Sequence, residues 1–306
     1  MNKPRVALVL GILCISIFPV LIKLGYNSGL ISAFYRMSIA FVILLPIVLL
    51  KKQWHWPGLQ LALLAALCGV LFGCDVAVWN IAIQESTATQ ASLLTNLSPI
   101  WVGMGTFLFL RNNPSRNFWI GTGVALLGMV IIVGFHFFVS LRFDRAFVFG
   151  ILSGVFYAAY LMVSKRVLEQ MNVASFMLTT LFASSVFLGF VNIMAGEAFY
   201  GFSLASWSIL WIQAIVCQLI AWFALNYAIK HIRTTRVSLS LLAQAFTTAV
   251  LAWAFLGEAI TLQMVFGGLV LLFGISITFM EGPKFFSWRA VQVKPDVNGK
   301  KMHHSS

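Results

Sequence analysis

Acidic residues are scarce in this chain: eight Asp and Glu stand against 20 Lys and Arg, and only 9% of its 306 residues carry charge. A soluble chain of this length needs far more charge to cover its surface, so a water-exposed globule is excluded. The four cysteines, Cys14, Cys68, Cys74 and Cys217, all lie inside apolar runs, with neither metal spacing nor a redox motif. They read as small core residues and exclude a disulfide framework. There is no phosphate-binding loop, no HExxH pair and no nucleophile elbow, and the five histidines, among them His55, His136 and His231, fall near apolar-run edges or in the tail. Those absences argue against ATP hydrolysis, metal-assisted hydrolysis and acyl transfer, and no cofactor is expected.

What the chain has in excess is apolar sequence: 60% of residues, with a mean hydropathy of +0.94. Ten apolar spans can be placed, at 6–22, 31–50, 59–81, 88–110, 117–135, 146–164, 174–194, 207–228, 237–256 and 261–280. Each is long enough to cross a bilayer as a helix, and none alternates as a barrel strand would. The expected fold class is therefore all-α, a polytopic membrane protein of ten transmembrane helices. The net charge of +12 is broken into short clusters between spans, which points to membrane orientation rather than nucleic acid. With a cytoplasmic N-terminus, 16 of the 20 basic residues fall in inner segments and four, Lys23, Arg36, Arg142 and Arg145, do not. Both termini are thus expected in the cytoplasm, and the basic tail in contact with membrane lipid.

A repeat runs through these spans. At a fixed offset of 146 positions, Asn80 falls on Asn226, Ala82 on Ala228, Ser92 on Ser238, Phe109 on Phe255, Gly121 on Gly267 and Gly128 on Gly274. Five spans per copy is an odd number, so the second copy must cross in the opposite sense. The expectation is an inverted-topology repeat, with units at 1–140 and 141–282 and a polar cytoplasmic tail at 283–306.

Polar residues inside spans mark where function is to be sought. Lys23, Arg36 and Asp75 sit at a similar depth towards the outside, as either an ion-pair lock between helices or an outer charge cluster that recognises solute or relays protons. Span 4 carries Thr95, Asn96 and Ser98 just before Pro99, whose missing N–H frees a carbonyl and bends the helix. Gln244 of span 9 is equivalent to Ser98, and Trp79, Asn80, Tyr157, Gln218, Trp222 and Asn226 add amides and aromatic faces on spans 3, 6 and 8. Such groups suit a central cavity for a small amphipathic or zwitterionic solute, and equally serve as hydrogen-bonding glue between helices. The glycines of spans 5 and 10 form small stripes for a rigid scaffold or a homodimer surface, without substrate contact.

The sequence FLGE at Phe255–Glu258, the pair Gly267–Gly268 with Gly274, the Ala82–Pro99 turn and Arg36 resemble the EamA repeats of the drug/metabolite transporter superfamily, over about residues 6–280. The resemblance implies a secondary transporter that works by alternating access in a bacterial inner membrane. It also implies a cavity lined by spans 1, 3, 4, 6, 8 and 9, which by position gives Asp75, Trp79, Asn96, Tyr157, Trp222 and Gln244. Export of small metabolites such as amino acids, with protons as a coupling ion, is the leading expectation. Uptake of a vitamin or other metabolite, and a non-transporting receptor or scaffold, are the alternatives. Copy one departs from the pattern, with Arg111–Asn112 where copy two has Gly257–Glu258. In a variant lacking native thiols, a cysteine at Ser140 should react with an impermeant label from outside and one at Asn113 only from inside; reaction of both from one side refutes the topology.

Overall fold

The protein's structure, a computed structural model, describes residues 3–24, 27–85, 94–109, 114–134, 144–257 and 259–280. It is an all-α bundle. In chain order the helices are α1 (Lys3–Ile22), α2 (Gly29–Leu50), α3 (Leu59–Glu85), α4 (Ser98–Phe109), α5 (Arg116–Val133), α6 (Arg145–Gln170), α7 (Val173–Ala195), α8 (Leu204–His231), α9 (Thr234–Leu256) and α10 (Leu262–Phe279). Among the described residues, nine of these are long and apolar enough to cross a membrane; α4 is the exception, because the expected span at 88–110 lies partly outside them. Leu63, Phe107, Leu127, Phe190, Phe255 and Phe273 are all exposed along the outer surface of the bundle, as lipid contact demands of a multi-pass membrane protein.

Local chemistry sets where several helices begin. The side chains of Ser28, Ser115, Asp144, Asn172, Ser203 and Thr261 each accept the N–H three residues on, satisfying a donor the helix itself leaves open. Helix α6 runs to Gln170, six residues past its expected end, because Val167 and Leu168 are buried and Lys165 Nζ donates to the carbonyl of Lys230 at 2.7 Å.

Among the described residues two cores hold the bundle, and both draw on both halves of the chain. The larger packs α1, α2, α3, α6, α7 and α8, around Met37, Cys68, Leu161, Phe176, Leu188 and Leu225. The smaller joins α5, α9 and α10 through Phe118, Ala125, Met129, Leu239, Leu242 and Leu271.

The glycine stripes meet each other in this second region. A Cβ added at Gly121 would lie 2.5 Å from the carbonyl oxygen of Gly274, and one at Gly267 would lie 2.8 Å from that of Gly128. One added at Gly128 would strike the Leu271 backbone. Residue numbers rise along α5 as they fall along α10, so the pair is antiparallel. Side-chain amides fasten both ends: Asn117 Nδ2 donates to Met280 O at 3.1 Å and Gln263 Nε2 to Ile131 O at 2.7 Å. Gly121 and Gly267 are equivalent in the repeat, as are Gly128 and Gly274, so the two glycine contacts exchange under the 146-residue offset.

Because backbone lies against backbone here, Gly128→Leu or Gly267→Leu should force α5 and α10 apart, costing more than the ~1–3 kcal/mol usual for overpacking. Gly123, with nothing within 4 Å of an added Cβ, is the control. Gly123→Leu should keep a wild-type melting temperature and a symmetric size-exclusion profile, whereas the other two lose both; equal behaviour of all three would refute the seam.

Candidate functional site

Three helices are interrupted near mid-span, and the interruptions shape the middle of the bundle. In span 4 a helical turn at Leu94–Thr95 gives way at Asn96–Leu97 before α4 starts at Ser98. Pro99 has no N–H for the Thr95 carbonyl, and that carbonyl instead faces Gly154 of α6, 3.2 Å from where a Cβ would stand. Helix α9 breaks at Leu241–Leu242, within a residue of the position equivalent to the α4 break, and does so without a proline. Helix α1 breaks at Ser16, three residues before Pro19, and the Ser16 carbonyl accepts from Thr248 Oγ1 of α9 at 3.0 Å. Helix α8 continues but widens into a π-helical stretch over Gln213–Ile220. Such irregular backbone in an apolar setting is tolerated where neighbours or a cavity satisfy it.

Helix α6 supplies one side of the site. Ser153, Tyr157 and Tyr160 follow i, i+4, i+7 spacing and share the face packed on α3 and α8. Ser153 Oγ donates to Asp75 Oδ1 at 2.5 Å. Its single proton is then committed, so Thr95 Oγ1, 2.8 Å away, donates to Ser153. The result is a chain of three helices, Thr95 to Ser153 to Asp75, ending on a carboxylate that is only 7% exposed.

The second group is aromatic. The Trp222 ring stands edge-on to Phe72 at 4.7 Å, to Tyr160 at 5.4 Å and to Tyr157 at 6.5 Å. Tyr160 donates to Asn226 Oδ1 at 3.1 Å. Below them lies a cleft of about 10 Å³, the room of roughly one water, lined by Met37, Thr180, Ser184, Gln218, Trp222 and Asn226. Gln218 Oε1 and Trp222 Nε1 are buried there without a hydrogen-bond partner. Both amide atoms of Gln213, one turn and a half earlier on α8, are buried and unpartnered as well.

Not every expected residue joins this arrangement. The anticipated contact between Arg36 and Asp75 is not formed: Arg36 is 3% exposed, its guanidinium carbon stands 4.1 Å from the Phe18 ring centroid, and its Nε has no partner. Matched depth placed the two at one level, but the ring of Phe18 holds the cation and a serine holds the acid. The side chain of Lys23 lies outside the described residues, as does Glu258. Asn80 is turned to its own helix, donating from Nδ2 to Val76 O at 2.8 Å, and its oxygen fills the space beside Gly29. Trp79, Asn96 and Gln244 are half-buried, and no ring contact or side-chain hydrogen bond ties them to either group. Sequence reasoning missed Ser153 and Trp101, whose buried Nε1 is unpartnered beside Gly154. The i−4 spacing of Ser153 from Tyr157 was the available signal for the first.

The chain matches the EamA-like transporter family over residues 4–134 and 144–280. It is 25% identical to an uncharacterized transporter, YdfC, of Bacillus subtilis over 253 residues, which is 81% of each chain. An uncharacterized transporter of Archaeoglobus fulgidus is 27% identical over 80% of this chain and 86% of its own. A probable 4-amino-4-deoxy-L-arabinose-phosphoundecaprenol flippase subunit, ArnE, of Aeromonas hydrophila is 26% identical over 80 residues, 26% of this chain and 69% of that one. A solved crystal structure shares the fold with a TM-score of 0.74 at 15% identity, covering 90% of this chain and 96% of the other.

If Ser153 is the partner of Asp75, Ser153→Ala strands a buried carboxylate and should lower stability by about 1–3 kcal/mol, and Thr95→Val by less. Asp75→Asn combined with Ser153→Ala should be less destabilised than the sum of the two. Exchanging the charges of Arg36 and Asp75 should rescue neither single variant. Additive Asp75 and Ser153 effects in thermal melts, or rescue by charge exchange, would each contradict this arrangement.

Proposed function

The chain belongs to the EamA-like transporter family, a family of membrane transporters and not of enzymes, and from that premise we propose what it carries and how. It is a secondary transporter that exports a small amphipathic or zwitterionic metabolite, such as an amino acid, from a bacterial cytoplasm. It works by alternating access around a central site between two inverted five-helix repeats, units 1–140 and 141–282, with both termini inside. The carrying observation is the pair of buried, unpartnered atoms Gln218 Oε1 and Trp222 Nε1 on the cleft beside Tyr160 and Asn226. A buried donor and acceptor left without partners cost roughly 1–3 kcal/mol each, and a polar solute relieves both. In the present closed arrangement the cleft has room for about one water, so a solute enters only when the helices part.

Each half contributes a share of the site. Copy one offers Asp75 with Thr95, and the half-buried Trp79 and Asn96; copy two offers Tyr157, Gln218, Trp222, Asn226 and Gln244. The antiparallel pairing of α5 with α10, and the matching breaks in α4 and α9, support an inverted pair of repeats around a fixed site. An ammonium group finds the Asp75 carboxylate and the faces of Tyr157 and Trp222 at hand, and its carbon skeleton finds the aromatic wall. Asp75 also serves as the proton-coupling group, since its carboxylate is held by a single serine hydroxyl. Direction follows from the gradients imposed, so the same cycle run backwards is uptake.

The test is direct binding followed by flux. A thermal-shift screen of purified protein against amino acids, vitamins, nucleosides and quaternary amines should yield a stabilising solute. Trp222→Ala and Gln218→Ala should weaken its binding by about 5-fold to 100-fold, the equivalent of ~1–3 kcal/mol, with folded yield near normal. Counterflow of the same solute in proteoliposomes, faster under a pH gradient, should follow. Unchanged affinity in both variants would place the site elsewhere.

A further inference from the structure

A cavity larger than the central cleft lies away from it. It has a volume of about 310 Å³ and lies where the ends of α4, α5, α6, α9 and α10 converge. Four cationic side chains line it, Lys165, Arg166, Arg233 and Arg236, against one carboxylate, Glu169. Part of this charge is committed: Lys165 pairs with Glu169 at 3.3 Å and donates to Lys230 O, and Arg236 Nε donates to Thr278 O at 2.9 Å. Arg166 and Arg233 stand exposed at its edge. The start of the 18-residue helix α5, at Ser115, forms another part of the wall, and its first-turn N–H groups add positive potential. Thr106 of α4 also lines the cavity, is only 7% exposed, and its hydroxyl has no hydrogen-bond partner.

We propose that this cavity is a binding site for an oxyanion, a carboxylate or phosphate group, seated between Arg166, Arg233, the start of α5 and the Thr106 hydroxyl. Positive-inside sorting alone requires basic residues on loops, in no particular arrangement. It does not explain why they converge from α6 and α9 on one cavity, beside a helix start and an unused buried donor. The planar fork of an arginine can donate to two oxygens of such a group at once, which the ammonium of a lysine does not do with the same fixed geometry. This site is separate from the central cleft, and its occupation does not depend on which solute that cleft takes.

The test uses the purified full chain with inorganic phosphate as probe, titrated against sodium chloride at equal ionic strength and read by calorimetry and thermal shift. Wild type should show saturable binding that weakens as salt rises. Arg166→Gln combined with Arg233→Gln, both exposed and so compatible with folding, should weaken it about tenfold or more, and Thr106→Val about threefold to tenfold. Trp222→Ala should leave it unchanged; loss of phosphate binding in that folded variant would put the anion in the central cleft and overturn the proposal. A second arm compares nanodiscs of phosphatidylcholine alone with nanodiscs containing phosphatidylglycerol. Stabilisation by the anionic lipid that disappears in the double arginine variant, without a response to free phosphate, supports the site and identifies a lipid headgroup as its source. No response in either arm, or equal responses in wild type and the arginine variants, refutes it.

Discussion

Between α5 and α10 there is no space for a side chain, and the arrangement of the other helices follows from that. Gly121 and Gly128 place backbone against the backbone of Gly274 and Gly267, so the two helices form one closely packed pair built from both halves of the chain. In lipid, where apolar association gains little over contact with acyl chains, such close van der Waals fit is what holds helices together. Every Gly in the seam gives up roughly 1 kcal/mol of helix propensity relative to Ala, which the contact must offset. The one stripe glycine facing open space, Gly123, makes no such contact. The last helix of each half is thus packed directly on its counterpart, while the interruptions lie in other helices of the bundle.

Those interruptions and the buried polar atoms answer the same constraint from two sides. A helix satisfies its own backbone, so a break in an apolar bundle leaves carbonyls and amides that need other partners. In α1 the partner is Thr248, while in span 4 the freed Thr95 carbonyl lies against Gly154, 3.2 Å from where a Cβ would stand. The side chains near these breaks are less fully satisfied: Trp101, Gln213, Gln218 and Trp222 each bury a polar atom with no bond. Native interiors rarely tolerate several such atoms together. Gln213, Gln218 and Trp222 cluster on α8, while Arg36, Ser38, Thr106 and Asn192 bury further unpartnered atoms on other helices.

The sequence made much of this legible, for identifiable reasons. Span positions follow from hydropathy, which needs no tertiary information, and the bend at Pro99 follows from a missing N–H. The glycine stripes were visible as a period, though whether they faced a second copy or each other was not, because periodicity fixes a face and not its partner. Arg36 and Asp75 show the same limit. Depth along an axis can be counted from a helix end, but azimuth cannot, and Ser153 and Phe18 took the positions each was expected to offer the other. The break in α9 carries no proline and the π-helical stretch of α8 no glycine, so neither left a mark in composition. Asn80 and Asn226, equivalent by the repeat, diverge because one neighbours the Gly29 backbone and the other a tyrosine hydroxyl. Duplication preserves spacing; packing then assigns each copy its own bonds.

Helix α6 ties these regions to one another. It carries Ser153, Tyr157 and Tyr160 at the central site, then Met162, Lys165, Arg166 and Glu169 at the basic cavity. At 1.5 Å per residue, the 12 positions from Ser153 to Lys165 span about 18 Å, so one straight helix reaches both. No break interrupts α6 between them, in contrast to α1, span 4 and α9. At the basic end, Lys165 pairs with Glu169 on the same helix and donates to the Lys230 carbonyl near the end of α8. Because Lys230 in turn donates to the Met171 carbonyl at 2.9 Å, the ends of α6 and α8 are joined in both directions. One unbroken helix therefore carries side chains of both regions, and its end is bonded to that of α8.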